Sequence, residues 1–308
     1  MTETPMSMMG PLERGWSRMV GMLFRRGSAR TWFVVGFSAW LAGLTGEGGY
    51  HVGGSTDRGG YDYGEDWGDW VSGDAFYSNE TLAGMVFAGC LIVLAVALVL
   101  LWVSSRGKFV FLDNVVHQRA EIVAPWKRFS RQGNSLFFFR LIAFLVCVPI
   151  ALGLIGLCIW LAGGPDGWAH LEGAGVFAGV AATALLACLA ITVLLYVLFF
   201  LDAFVVPLMH RHDLTAMQAW KRFGGRFRQR PGWFVLCGLV VFVLCMVVAA
   251  AVTTLGVMTC CLGFLLLAIP YVSTLVLLPV LIAYRAFTVE FLAQLEPELL
   301  DSDAPVEA

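Results

Sequence analysis

Charged residues are scarce in this chain of 308 residues: Asp, Glu, Lys and Arg make up 14 % of it, against 59 % hydrophobic residues. A soluble domain carries about 25 % charged residues. The composition therefore excludes an ordinary soluble globular protein, and the mean hydropathy of +0.78 points to a membrane protein. We expect no nucleic-acid partner.

Catalytic and cofactor-binding motifs are also missing. The chain has no GxSxG, HExxH or GxxxxGK[ST] motif, no usable GxGxxG and no CxxC pair among its 8 Cys. The nearest pattern to a metal site is the close spacing of His210, His212 and Asp213, but no further ligand follows at a known spacing. We therefore expect no catalytic residue, no cofactor and no bound metal.

Long apolar runs are what the chain does have. A helix that crosses about 30 Å of hydrocarbon needs roughly 20 apolar residues. Runs of this kind predict transmembrane helices at 31–45, 82–103, 141–164, 174–201, 233–255 and 265–284. The first run is short and would need local bilayer thinning to span. A signal peptide is the alternative there, although about 30 residues precede the run, which is long for such a leader.

The fold class that follows is all-α: a polytopic transmembrane bundle of about six spans, forming a single integral membrane domain over 1–308. Three further segments complete it. They are a cytoplasmic amphipathic arm at 1–30, a glycine-rich acidic outer loop at 46–81 and an acidic cytoplasmic tail at 285–308.

The distribution of positive charge predicts the orientation. Of the 20 Lys and Arg residues, 18 lie in the N-terminal arm, between residues 106 and 140, or between 211 and 230. Lys and Arg accumulate in short loops that stay in the cytoplasm. Both termini are therefore predicted to be cytoplasmic.

Two short motifs occur twice. Phe111-Leu112-Asp113 recurs as Phe200-Leu201-Asp202, and Trp126-Lys127-Arg128-Phe129 recurs as Trp220-Lys221-Arg222-Phe223. A fainter third copy begins at Trp16, with Glu290-Phe291-Leu292 as its exit. The pattern predicts three repeated helical hairpins, each preceded by a basic interfacial helix.

The basic segments are amphipathic, and two interpretations remain open. Their aromatic residues could insert among lipid headgroups with the cations facing anionic lipid, or the segments could be topology-setting loops packed under the bundle. The candidate lipid or partner contacts are Trp126, Lys127, Arg128, Trp220, Lys221 and Arg222. Membrane lipids, a protein partner or a second copy of the chain are the partners considered.

Asp113 and Asp202 are predicted to be helix-end acids, hydrated at the cytoplasmic surface and paired with nearby cations. The predicted spans themselves hold no acid, base or His, which disfavours ion coupling.

The Phe-Leu-Asp motif, Ala219-Trp220-Lys221-Arg222-Phe223, and Pro279 with Tyr284-Arg285-Ala286-Phe287 resemble uncharacterised bacterial six-helix membrane proteins. These are similar to the membrane domain attached to some glycerophosphodiester phosphodiesterases. The resemblance implies a helical bundle in a bacterial cytoplasmic membrane. It supplies no catalytic residues, so the phosphodiesterase activity is not carried over.

Two functional hypotheses follow. The chain is a non-catalytic membrane module that binds lipid or a partner, or it is a transporter or channel for a small or apolar solute.

Overall fold

The computed structural model describes residues 8–25, 29–45, 80–161, 174–259, 263 and 267–295. Within these residues every regular element is helical. In chain order they are α1 (Met9–Val20), a first π-helical turn (Gly21–Arg25), α2 (Ala29–Gly43), α3 (Glu80–Val116), α4 (Val123–Arg128), α5 (Ser130–Leu161), α6 (Ala174–Phe200), a second π-helical turn (Leu201–Val205), α7 (Val206–His212), α8 (Ala216–Gln229), α9 (Pro231–Met258) and α10 (Pro270–Leu295). The predicted acidic outer loop lies almost wholly outside the described residues, and so does the predicted tail beyond 295.

Among the described residues, five helices are long and apolar enough to cross a membrane. They cover Gly84–Val116, Ser130–Leu157, Gly179–His212, Pro231–Met258 and Pro270–Gln294. The helix at the first predicted span, α2, has only 15 residues. The described residues are thus compatible with a multi-pass membrane protein with five spans, and a sixth is not established.

Several helices run further than the uncharged runs in the sequence. The run predicted at 82–103 continues to Val116, α5 begins at Ser130 instead of 141, and α10 extends to Leu295 instead of 284. The extensions carry Lys108, Arg140 and Arg285, whose side chains are buried inside the protein. A charged side chain that is paired inside the protein can lie within a long helix, so the helix need not end where the uncharged run ends.

The buried core lies at one end of the bundle. On α3, Phe87 and Val93 in the first half of the helix are exposed, whereas Phe109 and Leu112 near its end are fully buried. The same contrast holds on α5, α6 and α9. Exposed apolar surface of this extent suits a lipid environment, since in water it would favour aggregation. We call this end, where α1, α4, α7 and α8 join the core, the basic end.

The last long helix, α10, occupies the centre of this core. It packs against α1, α2, α3 and the second π-helical turn. The approach to α1 is very close at Gly15, because an added Cβ there would lie 2.9 Å from the backbone nitrogen of Phe287. Gly107 of α3 is equally tight against α2, at 2.7 Å from the carbonyl carbon of Leu41.

Local signals place the short helices of the basic end. The chain turns after α3 at Gln118 and after α7 at Asp213, with φ of 49° and 51°. Thr215 and Gln218 then form a capping box at the start of α8, in which the Thr215 backbone N–H donates to Gln218 Oε1 at 3.1 Å. These turns fold α8 back under α5 and the second π-helical turn.

Candidate functional site

The first Trp-Lys-Arg-Phe segment packs its aromatic residues inward. Phe129 is buried and stacks on Phe109 with ring centroids 6.0 Å apart. Trp126 meets Trp102 edge to face at 6.1 Å, and the guanidinium carbon of Arg106 lies 4.4 Å from the Trp102 ring and 5.5 Å from the Trp126 ring. A cation between two indoles is a favourable arrangement, so Trp126 is held by the fold.

The second segment repeats this arrangement with different partners. Phe223 is buried and stacks on Phe204 with centroids 5.6 Å apart and ring planes 9° from parallel. Trp220 is half-buried and packs on Phe139 at 5.7 Å. Trp126 is half-buried as well, and Trp220 packs against the core.

The cations of the two segments face outward. Lys127, Arg128 and Lys221 are exposed, and Arg222 is half-buried. The structure thus separates the predicted contact residues into two groups. The tryptophans anchor the segments, and the exposed cations are left available for an anionic surface.

The N-terminal arm is divided in a similar way. Met19 and Leu23 are buried, whereas Trp16 and Phe24 are exposed. Its docking is fixed by the buried carboxylate of Glu290 on α10, whose two oxygens each accept from one arginine: Arg14 Nε at 2.8 Å and Arg18 Nη2 at 2.8 Å.

Asp113 is the centre of a first charged cluster. It is fully buried near the end of α3, so the prediction that its charge is hydrated was wrong, while its pairing with nearby cations is observed. Oδ2 accepts from Arg119 Nη2 at 2.6 Å. Oδ1 lies 3.2 Å from His117 Nδ1 and 3.2 Å from His210 Nε2. The hydrogen bond to Asp113 raises the pKa of His117 above its ordinary value.

Asp202 is the centre of a second cluster and is also buried. It does not end a helix, because the helical path continues through the second π-helical turn into α7. Lys108 Nζ lies 3.1 Å from Oδ1, and Arg285 Nη1 lies 3.7 Å from Oδ2. Hydration was therefore the wrong expectation here too, and the partners come from α3 and α10.

The π-helical register explains how Arg285 is held. The backbone N–H of Val206 bonds to the carbonyl of Leu201, five residues back, and so bypasses the carbonyl of Asp202. Pro207, which follows, has no N–H to offer. The carbonyl of Asp202 instead accepts from Arg285 Nη1 at 2.6 Å. Such π-bulges are rare and occur frequently at functional sites.

Arg140 of α5 brings a further buried cation to the same region. Its Nη1 donates to Ser105 Oγ at 3.0 Å and its Nη2 donates to Thr45 Oγ1 at 2.9 Å. The basic end therefore holds Lys108, Arg140 and Arg285 buried near Asp202. Sequence reasoning predicted no role in the core for these three residues, since Lys108 and Arg140 look like ordinary loop cations and Arg285 was named only as part of a motif.

The sequence pattern of His210, His212 and Asp213 is not the set of ligand atoms that converge within the described residues. His210 instead meets Asp113 and His117. The spacing of four residues from Asp113 to His117 was a readable signal for one half of this cluster. Nothing in the sequence indicated the other half.

Over the residues that the structure describes, these features define an all-α fold with five helices of membrane-spanning length and a buried, ion-paired core at its basic end. The chain belongs to DUF7544, a family of unknown function, whose model matches residues 15–299. No curated protein and no solved structure matches it. The family does not link the chain to glycerophosphodiester phosphodiesterases, and that resemblance stays a prediction.

Proposed function

We propose that this chain is a multi-pass membrane module that binds anionic phospholipid headgroups at its basic end, which faces the cytoplasm. The observation that carries the proposal is the shared design of the two Trp-Lys-Arg-Phe segments. In both, the tryptophan and phenylalanine pack inward and hold a lysine outward, at Lys127 and Lys221.

The charge of the exposed surface at this end supports an anionic ligand. Besides Lys127, Arg128 and Lys221, the exposed cations include Arg14, Arg25, Arg30, Arg131 and Arg228. Exposed apolar side chains lie on the same segments, among them Trp16, Phe24 and Met217. Cations beside exposed apolar groups are typical of protein surfaces at the headgroup layer of anionic membranes.

The orientation rests on the segregation of Lys and Arg described above. The assignment to a bacterial cytoplasmic membrane, with both termini inside, rests on that segregation together with the family resemblance. Reporter fusions at residue 122 and at the C-terminus test it, and cytoplasmic activity is expected from both.

The lipid proposal is tested by quantifying the lipids that copurify with the chain in mild detergent. Near an anionic membrane each Lys or Arg contributes about 1 kcal/mol. Lys127→Gln, Arg128→Gln and Lys221→Gln together should lower binding of phosphatidylglycerol by on the order of 100-fold at low salt. The matched control, Lys127→Arg with Lys221→Arg, keeps the charge and should bind as the wild type does.

The same experiment separates the lipid proposal from its rival. A protein partner that is lost from the charge-neutralised variant, with lipid content unchanged, would replace the lipid proposal by a partner-binding one.

We also propose that the chain contains an internal repeat. Asp113 and Asp202, the last residues of the two Phe-Leu-Asp motifs, are both buried and ion-paired. Glu290, the first residue of the suggested third exit motif, is buried and paired as well. The two Phe residues that end the Trp-Lys-Arg-Phe motifs are both buried. Equivalent roles at equivalent motif positions support common ancestry of the units.

Transport of a small solute is the second candidate, and one observation favours it. Helices of membrane-spanning length carry buried ionisable groups, including Lys108, Asp202 and Arg285. Such groups mark ion or substrate paths in many transporters. Here they lie on the cytoplasmic side of the apolar runs and are ion-paired between helices, which suits a structural role better. Solute or proton flux in proteoliposomes that Asp202→Asn abolishes would favour transport.

A further inference from the structure

Three potential metal ligands converge at the basic end from distant parts of the chain. Asp113 of α3, His117 just after α3, and His210 of α7 each place one ligand atom within 4.8 Å of the others. His210 and Asp113 are 97 residues apart in sequence. One carboxylate with two imidazoles is a ligand set found in mononuclear sites for zinc and non-haem iron.

The distances from Asp113 Oδ1 to the two imidazole nitrogens match the spacing of two ligands on one metal ion. Two ligands of a tetrahedral Zn²⁺ ion, each about 2.05 Å from the metal, lie about 3.3 Å apart. Asp113 Oδ1 is 3.2 Å from His117 Nδ1 and 3.2 Å from His210 Nε2. Charge-assisted hydrogen bonds are shorter, about 2.7–2.9 Å, and the same carboxylate makes such a bond to Arg119 at 2.6 Å.

The surrounding residues orient these ligands. Arg119 occupies Oδ2 and so turns Oδ1 of Asp113 toward both imidazoles. Phe129 stacks on the His210 ring with centroids 4.5 Å apart and fixes its plane. Partners that orient ligands in this way are a regular part of metal sites.

Access is available from the side of His117. Asp113 is fully buried and the His210 side chain is 10 % exposed, whereas the His117 side chain is 34 % exposed. His117 directly follows the last residue of α3 and has the most exposed side chain of the three ligands.

We propose that Asp113 Oδ1, His117 Nδ1 and His210 Nε2 bind one divalent first-row transition-metal ion, with water in the remaining position. The proposal goes beyond lipid binding and does not depend on it, because none of the three ligands is a proposed lipid contact.

The test uses the full chain, purified in detergent through a tag that contains no histidine and stripped with a chelator. Co²⁺ is the probe, since its visible absorption reports tetrahedral coordination, and bound metal is counted by mass spectrometry. We expect one Co²⁺ per chain, displaced by Zn²⁺. His117→Ala and His210→Gln should each weaken Co²⁺ binding at least tenfold.

His212→Ala is the matched control, because His212 lies on α7 with His210 outside the proposed ligand set, and it should bind Co²⁺ as the wild type does. Size-exclusion elution of each variant shows that it remains folded, and His117→Ala is the milder of the two ligand variants because its side chain is partly exposed. Wild-type protein that retains no Co²⁺, a folded His117→Ala variant that binds it as tightly as the wild type, or equal loss in His212→Ala would overturn the assignment.

Discussion

Arg285 and Asp202 are 83 residues apart in the chain and meet at two points. Arg285 Nη1 donates to the backbone carbonyl of Asp202 at 2.6 Å and lies 3.7 Å from its carboxylate Oδ2. At that carbonyl the second π-helical turn diverts the usual helical donor, the N–H of Val206, to Leu201. Lys108 lies at the other carboxylate oxygen of Asp202. Asp202 therefore joins α3 and α10 to the junction between α6 and α7.

Asp202→Asn should destabilise the protein strongly. The change removes the negative charge from a buried site and leaves Lys108 and Arg285 without their counter-ion. Breaking a buried ion pair from one side costs about 3–5 kcal/mol. We expect a clear fall in the midpoint of thermal denaturation in detergent.

Two further variants sharpen this measurement. Glu121→Gln removes an exposed acid whose contact with Arg119 is long, at 3.9 Å, and should change the midpoint little. Lys108→Met should cost less in the Asp202→Asn background than alone, because the two residues are coupled. Equal stability of Asp202→Asn and the wild type would mean that the pair does not hold the helices together.

Gly107→Ala should destabilise the packing of α2 on α3. Its Cβ would lie 2.7 Å from the carbonyl carbon of Leu41 and 2.8 Å from the nitrogen of Ala42, so backbone would have to shift. Overpacking of this kind costs about 1–3 kcal/mol.

Gly89 lies on the same helix and offers the control, since nothing lies within 4 Å of an added Cβ. Gly89→Ala should leave the denaturation midpoint unchanged or raise it slightly, because alanine favours helix. If the two variants behaved alike, the close contact between α2 and α3 would be refuted.

Glu290→Gln should loosen the N-terminal arm. Each oxygen of the carboxylate accepts from one arginine, Arg14 or Arg18. A glutamine amide has a single acceptor oxygen and no negative charge, so it cannot replace both ion pairs. We expect trypsin to cleave at Arg18 and Arg25 several-fold faster in the variant. Glu13→Gln, which changes an exposed acid on the same arm, should be cleaved at the wild-type rate, and equal rates for all three proteins would contradict the role given to Glu290.

Hydrophobic run length predicted the helices well where no charge was involved. The structure has α6 at Ala174–Phe200 against a predicted 174–201, and α9 at Pro231–Met258 against 233–255. These helices follow from length and hydropathy alone, because a bilayer-sized apolar run has few alternatives to a helix. The extensions of α3, α5 and α10 were not predictable in this way.

The buried charges explain that difference. Lys108 and Arg140 were counted among the cytoplasmic loop cations, and Arg285 was named only as part of a motif, yet each is buried near Asp202. Their partners are distant in sequence, and single-sequence patterns carry no signal for contacts of that range. For the same reason the contact between His210 and Asp113 could not be predicted, whereas the position of His117 one helical turn after Asp113 was visible in the sequence.

The central claim is that the exposed cations of the two Trp-Lys-Arg-Phe segments bind anionic lipid. The most direct measurement is the number of phosphatidylglycerol molecules retained per chain after release from bilayers that contain equal amounts of phosphatidylglycerol and phosphatidylethanolamine. We predict a strong preference for phosphatidylglycerol in the wild type that weakens as salt is raised. The preference should be lost when Lys127, Arg128 and Lys221 are changed to Gln. Equal retention of the two lipids by the wild type, or an unchanged preference in the variant, would contradict the account.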